Sequence, residues 1–151
     1  MTTMPCISIR QPWAWAILHL GKDMENRSWQ TKYRGPILIH AGKAFRLDDV
    51  RKEFALFMAR RGRFGTPESD AKIFMEMRTQ TGGIVGVATV MDCVRGYASP
   101  WAIPGQWHWV LADARPLPFH PCKGRLGIFQ VEYPYILPPS QERQGGSSYA
   151  D

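Results

Sequence analysis

The sequence predicts an α+β chain. Two apolar patterns at helical spacing fill the stretch from Leu47 to Arg78, while after Gly82-Gly83 the pattern changes to apolar runs separated by Pro- and Gly-rich connections. At 151 residues and 44% hydrophobic, the chain has the size and apolar content of a single domain, expected over residues 1–133.

Taken in order, Ile7 to Arg10 reads as a short strand. Gln11-Pro12 then opens a helix, with Pro in the first turn where its missing N–H costs nothing. Trp13, Ala16, Ile17 and Leu20 share one face of that helix, Trp15 and His19 lie on others, and Gly21 ends it. From Glu25 to Thr31 an extended segment places Glu25, Arg27 and Trp29 on one side and Asn26 and Ser28 on the other. Tyr33-Arg34-Gly35-Pro36 is turn chemistry, and Ile37 to Ala41 is a short, apolar buried strand.

Two helices come next. In the first, Leu47, Val50, Phe54, Phe57 and Met58 form a stripe between Asp48-Asp49 and Arg60-Arg61, charges that suit the two ends of the helix dipole, and Gly62 stops it. In the second, Thr66 caps, Pro67 takes the first position, and Ala71, Phe74, Met75 and Arg78 share a face. Strands are expected at Ile84 to Val94, Trp107 to Ala114 and Ile128 to Tyr133. Residues 134–151, rich in Pro, Gly and polar side chains, read as a mobile tail.

Composition narrows the function classes. Nineteen Lys and Arg against thirteen Asp and Glu give a formal charge of +6, which favours polyanionic partners. Six Trp offer faces on which unstacked bases can dock, although large aromatics also build cores. No apolar run is long enough to span a membrane, and the N-terminal residues lack a signal pattern, so a cytoplasmic protein without a membrane partner is expected. Cys6, Cys93 and Cys122 are odd in number and widely spaced, which argues against a disulfide framework. His108, His120 and Cys122 lack the second close pair that a metal site needs, and no phosphate-loop or dinucleotide motif occurs. Neither a metal nor another cofactor is expected.

The chemistry gathers around Gly21 to Arg27, where a helix-ending glycine is followed by a cation, an anion three residues on, and a second cation. Gly21, Lys22, Glu25 and Arg27 form a Gly-x-Lys-x-x-Glu-x-Arg segment, flanked by Ile7-Ser8-Ile9-Arg10-Gln11-Pro12-Trp13-Ala14 and by Tyr33 to Ala41. On these residues the chain resembles the ASCH domain, the activating-signal-cointegrator homology module of the PUA-like superfamily. Gly82 to Gly86 and Gly124 to Gly127 are similar more weakly, and the resemblance spans Ile7 to Tyr133. It implies a PUA-like β-barrel with helices packed outside, and a cleft lined by Lys22, Glu25 and Arg27. It also implies RNA or DNA binding or transcriptional coactivation, with some small members hydrolysing nucleic acid or an acylated cytidine.

Three functions are expected on these grounds. In a binding module for RNA, single-stranded DNA or a nucleoside, Lys22 and Arg27 meet phosphate, Glu25 orients Arg27 or accepts from a base amino group, and Trp29 stacks. Arg10, Arg34 and Lys43 would add phosphate contacts at the rim. In a hydrolase, Lys22 with a pKa lowered by Arg27 acts as general base and Glu25 shuttles a proton. His40 or Tyr33 would move protons in a nuclease variant. The acylcytidine hydrolases resembled have Thr where this chain has Glu25, and a later Glu. No Glu stands between Glu76 and Glu132, leaving Asp92 as the nearest substitute. The third function is a protein-interaction module, for which exposed aromatics and the Pro-rich tail would dock a protein partner.

Overall fold

A computed structural model describes residues 2–61 and 67–140, with the backbone alone for 56–61 and 67. The elements are β1 (Thr2–Ile9), α1 (Trp13–His19), β2 (Met24–Arg27), β3 (Gly35–Ala41), α2 (Leu47–Arg61), α3 (Pro67–Thr79), β4 (Gly83–Val94), β5 (Trp107–Pro121) and β6 (Ile128–Tyr133). The six strands form one mixed sheet in the order β2-β5-β4-β3-β1-β6, in which β1 and β3 run parallel and the other pairs antiparallel. The fold class is therefore α+β. The sheet is not closed: β2 and β6 are its edges, so the strand pairing stops short of the expected barrel.

The parallel β1–β3 pair requires a crossover, which α1 and β2 supply. Side chains alternate across β3. Ile37 and Ile39 join a core with Ile7, Ile9, Ile17, Val85 and Trp109, whereas Leu38 joins a second core with Cys6, Ile84, Val87 and Tyr133. Both faces of the central strands are thus covered, which explains why these segments read as unbroken apolar runs. Trp109 is 1% exposed, and truncating such a ring to Ala costs on the order of 3–5 kcal/mol.

Several elements depart from their sequence expectations. β1 starts at Thr2, five residues before Ile7, because its outer half pairs with β6 from Thr2↔Tyr133 onward. β5 runs on to Pro121, since its second half continues against β4. In α1 the helix begins after Pro12, and Trp15 is not an outlying residue: its ring meets Phe54 of α2 edge-on, beside a cluster of Val50, Phe54, Phe74 and Met77. The buried face of α3 is Phe74 and Met77 with Ile73, while Met75 is 59% exposed. Phe57 and Met58 as stripe residues, and Gly62 and Thr66 as helix boundaries, lie outside the described side chains.

Past Tyr133 the described chain keeps contact with the sheet. Leu137 packs on the second core, and the Arg115 guanidinium donates to the carbonyls of Pro138 and Pro139. Of the expected tail, residues 141–151 lie outside the description. No described helix is long and apolar enough to cross a membrane.

Gly86 sets how closely α1 and β5 approach β4. A Cβ built there would stand 2.4 Å from Leu18 Cδ2 and 2.7 Å from the Arg115 carbonyl oxygen. Leu18 can turn aside, but the carbonyl belongs to a paired strand and cannot. Gly86→Ala should therefore destabilise the protein by about 1–3 kcal/mol through overpacking, read as a lower midpoint in urea unfolding. An unchanged midpoint would show that this approach is slack.

Candidate functional site

The site begins where α1 ends. Gly21 takes φ +67°, a conformation glycine adopts without a Cβ clash, and the reversal lets the Lys22 N–H donate to Ala16 O at 3.1 Å. The chain then enters β2 with Lys22 folded inward. Its side chain is 3% exposed, Nζ donates to Met24 O at 2.8 Å, stands 3.6 Å from Glu25 Oε1 and lies 5.7 Å from the Trp13 ring centroid. Burial pushes the Lys22 pKa below its ordinary value, and the Glu25 carboxylate pulls the other way. Arg27, expected to cause the lowering, acts in that direction but contributes less than burial.

Glu25 is 7% exposed. Its Oε1 accepts the Asn26 N–H at 2.9 Å, while Oε2 is buried without a partner among the described residues. Arg27 spans from β2 to β1, donating through Nη2 to Ser8 O at 2.8 Å, and its buried Nε likewise lacks a partner. A buried polar group left unpaired costs roughly 1–3 kcal/mol, and more when charged. The two atoms belong to neighbouring same-side residues of one short strand, which sets polar groups inside the fold at this point.

Both residues line a cleft of about 1220 Å³. Small-molecule pockets usually hold about 300–1,000 Å³, so there is room for a base together with part of its backbone. Trp13, Trp101 and Trp29 supply aromatic surface. Trp101 is 6% exposed and meets Trp13 edge-on, and Trp29 is 37% exposed with its ring set at 90° to the buried Trp109. Among the lining residues four cations, Arg10, Lys22, Arg27 and Arg125, face two anions, Glu25 and Glu53. Arg10 is partly neutralised by Glu53 at 2.5 Å, whereas Arg125 is exposed on the loop between β5 and β6.

The structure thus brings Arg10, Lys22, Glu25, Arg27 and Trp29 into one cleft wall. Tyr33, Arg34, His40 and Lys43 lie outside it. The Tyr33 hydroxyl donates to Pro36 O, Arg34 pairs with Asp92 at 3.4 Å, and the stem of exposed Lys43 lies by Gly82. His40 is 1% exposed and is held between Ser8 Oγ and Cys122 O.

Sequence reasoning missed the residues that hold the loop between β4 and β5, two of whose residues, Trp101 and Ile103, line the cleft. Asn26 donates to Trp101 O at 3.0 Å and accepts from the Ile103 N–H at 2.8 Å, fastening the loop between β4 and β5 to β2. Asp23 accepts from the Ser99 hydroxyl at 2.7 Å. His108, 2% exposed, contacts Ile103 O through Nε2 and accepts the Tyr97 N–H at Nδ1. The one available signal was His108, a polar residue inside the apolar run that opens β5, since such groups are buried only with partners. Among the described residues no three His, Cys, Asp or Glu side chains group as metal ligands.

The chain is thus an α+β domain whose open sheet carries a cleft lined by basic and aromatic residues. The ASCH domain family matches residues 7–120, and the chain belongs to that family. No curated protein matches the sequence.

The depressed Lys22 pKa has a consequence for stability. With the folded value below the unfolded 10.5, the unfolded chain binds more protons between the two values, so stability rises with pH there and is lost as pH falls through the folded pKa. The wild type should therefore gain stability relative to Lys22→Met as pH climbs toward 10.5. Parallel pH profiles of the two proteins in urea would show instead that burial leaves the ammonium's affinity for its proton unchanged.

Proposed function

We propose that this ASCH domain binds RNA, single-stranded or modified, in the cleft walled by Lys22, Glu25, Arg27 and Trp29. The observation that carries the reading is a cleft with aromatic walls among whose lining residues are Arg10, Lys22, Arg27 and Arg125. Their cationic groups suit phosphate or base acceptors, and Glu25 suits a base amino group. Trp29 presents a face for stacking, and Arg10 and Arg125 stand where the backbone would leave the cleft. Family membership supports the same reading. It takes residues 1–133 as one PUA-like domain, in which Arg27 reaching across to Ser8 O joins the edge strand β2 to β1 where a barrel would close.

A second reading has one observation in its favour. Burial favours the neutral amine of Lys22, the form a general base requires, and this keeps hydrolysis of RNA or a modified nucleoside as the alternative.

Labelled single-stranded RNA and DNA incubated with the protein would report retention and cleavage in the same samples. Retention without cleavage is expected, with Trp29→Ala weakening it about tenfold or more, the worth of one stacked base. Arg125→Ala should reduce the slope of log affinity against log salt by about 0.7, one phosphate's share for a single strand. Cleavage that disappears in Lys22→Met would make the protein an enzyme, and absence of both retention and cleavage would overturn the proposal.

A further inference from the structure

The cations that line the cleft are not equally free. Lys22 Nζ stands 3.6 Å from Glu25 Oε1, and the Arg27 guanidinium donates to the Ser8 carbonyl oxygen. Arg125 is exposed and, among the described residues, has no carboxylate partner. Arg10 is the exposed cation that already has one: its Nη2 donates to Glu53 Oε1 at 2.5 Å, and both residues line the cleft. With side chains 64% and 26% exposed, this pair is open to a ligand, whereas the pair of Lys22 with Glu25 is buried.

The backbone sets the contact from both sides. The Arg10 carbonyl accepts the Trp13 and Ala14 N–H groups at 3.0 and 3.3 Å, which pins residue 10 at the entrance to α1. Glu53 stands in α2 between Val50 and Phe54, two residues buried in a cluster with Phe74 and Met77, so its backbone is held while its carboxylate reaches the cleft. An exposed ion pair is weak, and phosphate competes with carboxylate for a guanidinium. A phosphate arriving at Arg10 must therefore displace Glu53 or lie beside a second anion. A ribose hydroxyl does neither, because it donates to the carboxylate.

We infer that Glu53 is a specificity-determining residue of the cleft. It withholds Arg10 from phosphate, so the wall formed with α2 takes a strand end bearing a hydroxyl over one bearing a phosphate. This inference rests on the RNA-binding reading and assigns which part of the ligand meets that wall. Net charge alone predicts the reverse, since a chain of formal charge +6 should favour the ligand with more phosphates. The local contact overrides it, because Arg10 and Glu53 act at hydrogen-bonding distance and remote charges are screened.

The test titrates one short oligoribonucleotide sequence into the full chain in three forms, with hydroxyls at both ends, with a 5′-phosphate and with a 3′-phosphate. One of the phosphorylated forms should bind about threefold more weakly than the hydroxyl form, within the range of an exposed ion pair. Glu53→Gln should abolish that penalty and bind the same phosphorylated form about fivefold more tightly than the wild type does. Arg10→Ala added to Glu53→Gln should remove the gain. Asp48→Asn, which takes the same charge from an exposed position of α2 outside the cleft, should leave the ratio as in the wild type. Thermal melts establish that each variant is folded. Phosphorylated ends that bind the wild type as well as hydroxyl ends do, a ratio unchanged in folded Glu53→Gln, or the same change in Asp48→Asn would overturn the inference while leaving RNA binding in place. If none of the three forms binds, the binding reading itself fails and the inference with it.

Discussion

A lysine ammonium taken almost wholly out of water is the constraint around which this molecule is arranged. Lys22 is 3% exposed, and an isolated buried charge would cost several kcal/mol. The chain offsets that cost with a carbonyl, a carboxylate and an indole face, from Met24, Glu25 and Trp13. Each of those partners is held in place by its task. Glu25 must stay inside, Met24 must turn its side chain into the core with Ala16 and Trp101, and Trp13 must lie against the cleft. β2 is four residues long and pairs on one side through β5, so its position depends on these side-chain contacts as much as on its ladder.

The sheet supplies a rigid frame for that arrangement. Its central strands are covered on both faces, and the two cores divide the alternating side chains of β1 and β3 between them. A one-residue slip of β3 would send Leu38 to the wrong core and carry His40 away from Ser8. Register is therefore specified by packing on both sides at once, and the contact between Ser8 and His40 inherits that specification.

How much of this was legible in the sequence differs from residue to residue. Lys22, Glu25 and Arg27 could be read because they are near neighbours in the chain, and a glycine-ended helix followed by a short strand leaves their side chains few places to go. The α+β class was legible for a similar local reason, the change from helical to alternating spacing at Gly82-Gly83. The contact between Ser8 and His40 was not legible. A parallel pairing makes it, and Cys122 and Gly124 close on it from more than eighty residues past His40. The tryptophans show the same limit. Trp29 and Trp109 have identical side chains within one contact, yet one lines the cleft and the other is buried, because Trp109 lies inside β5 while Trp29 lies past the end of β2. Arg34 and Lys43 resembled rim cations because they stand close after the motif, but Arg34 pairs with Asp92 and the stem of Lys43 lies by Gly82, neither among the residues that line the cleft.

The guanidinium of Arg27 stretches between an edge strand and the first strand of the chain, across a seam that no backbone ladder closes. Whatever settles beside it and satisfies its idle nitrogen acts as a clasp on that seam. Occupancy and folding then become one thermodynamic quantity there: each decade of ligand concentration above the dissociation constant adds about 1.4 kcal/mol to the work of pulling the two strands apart. A cell that changes the supply of the ligand would thereby change how long the domain itself survives.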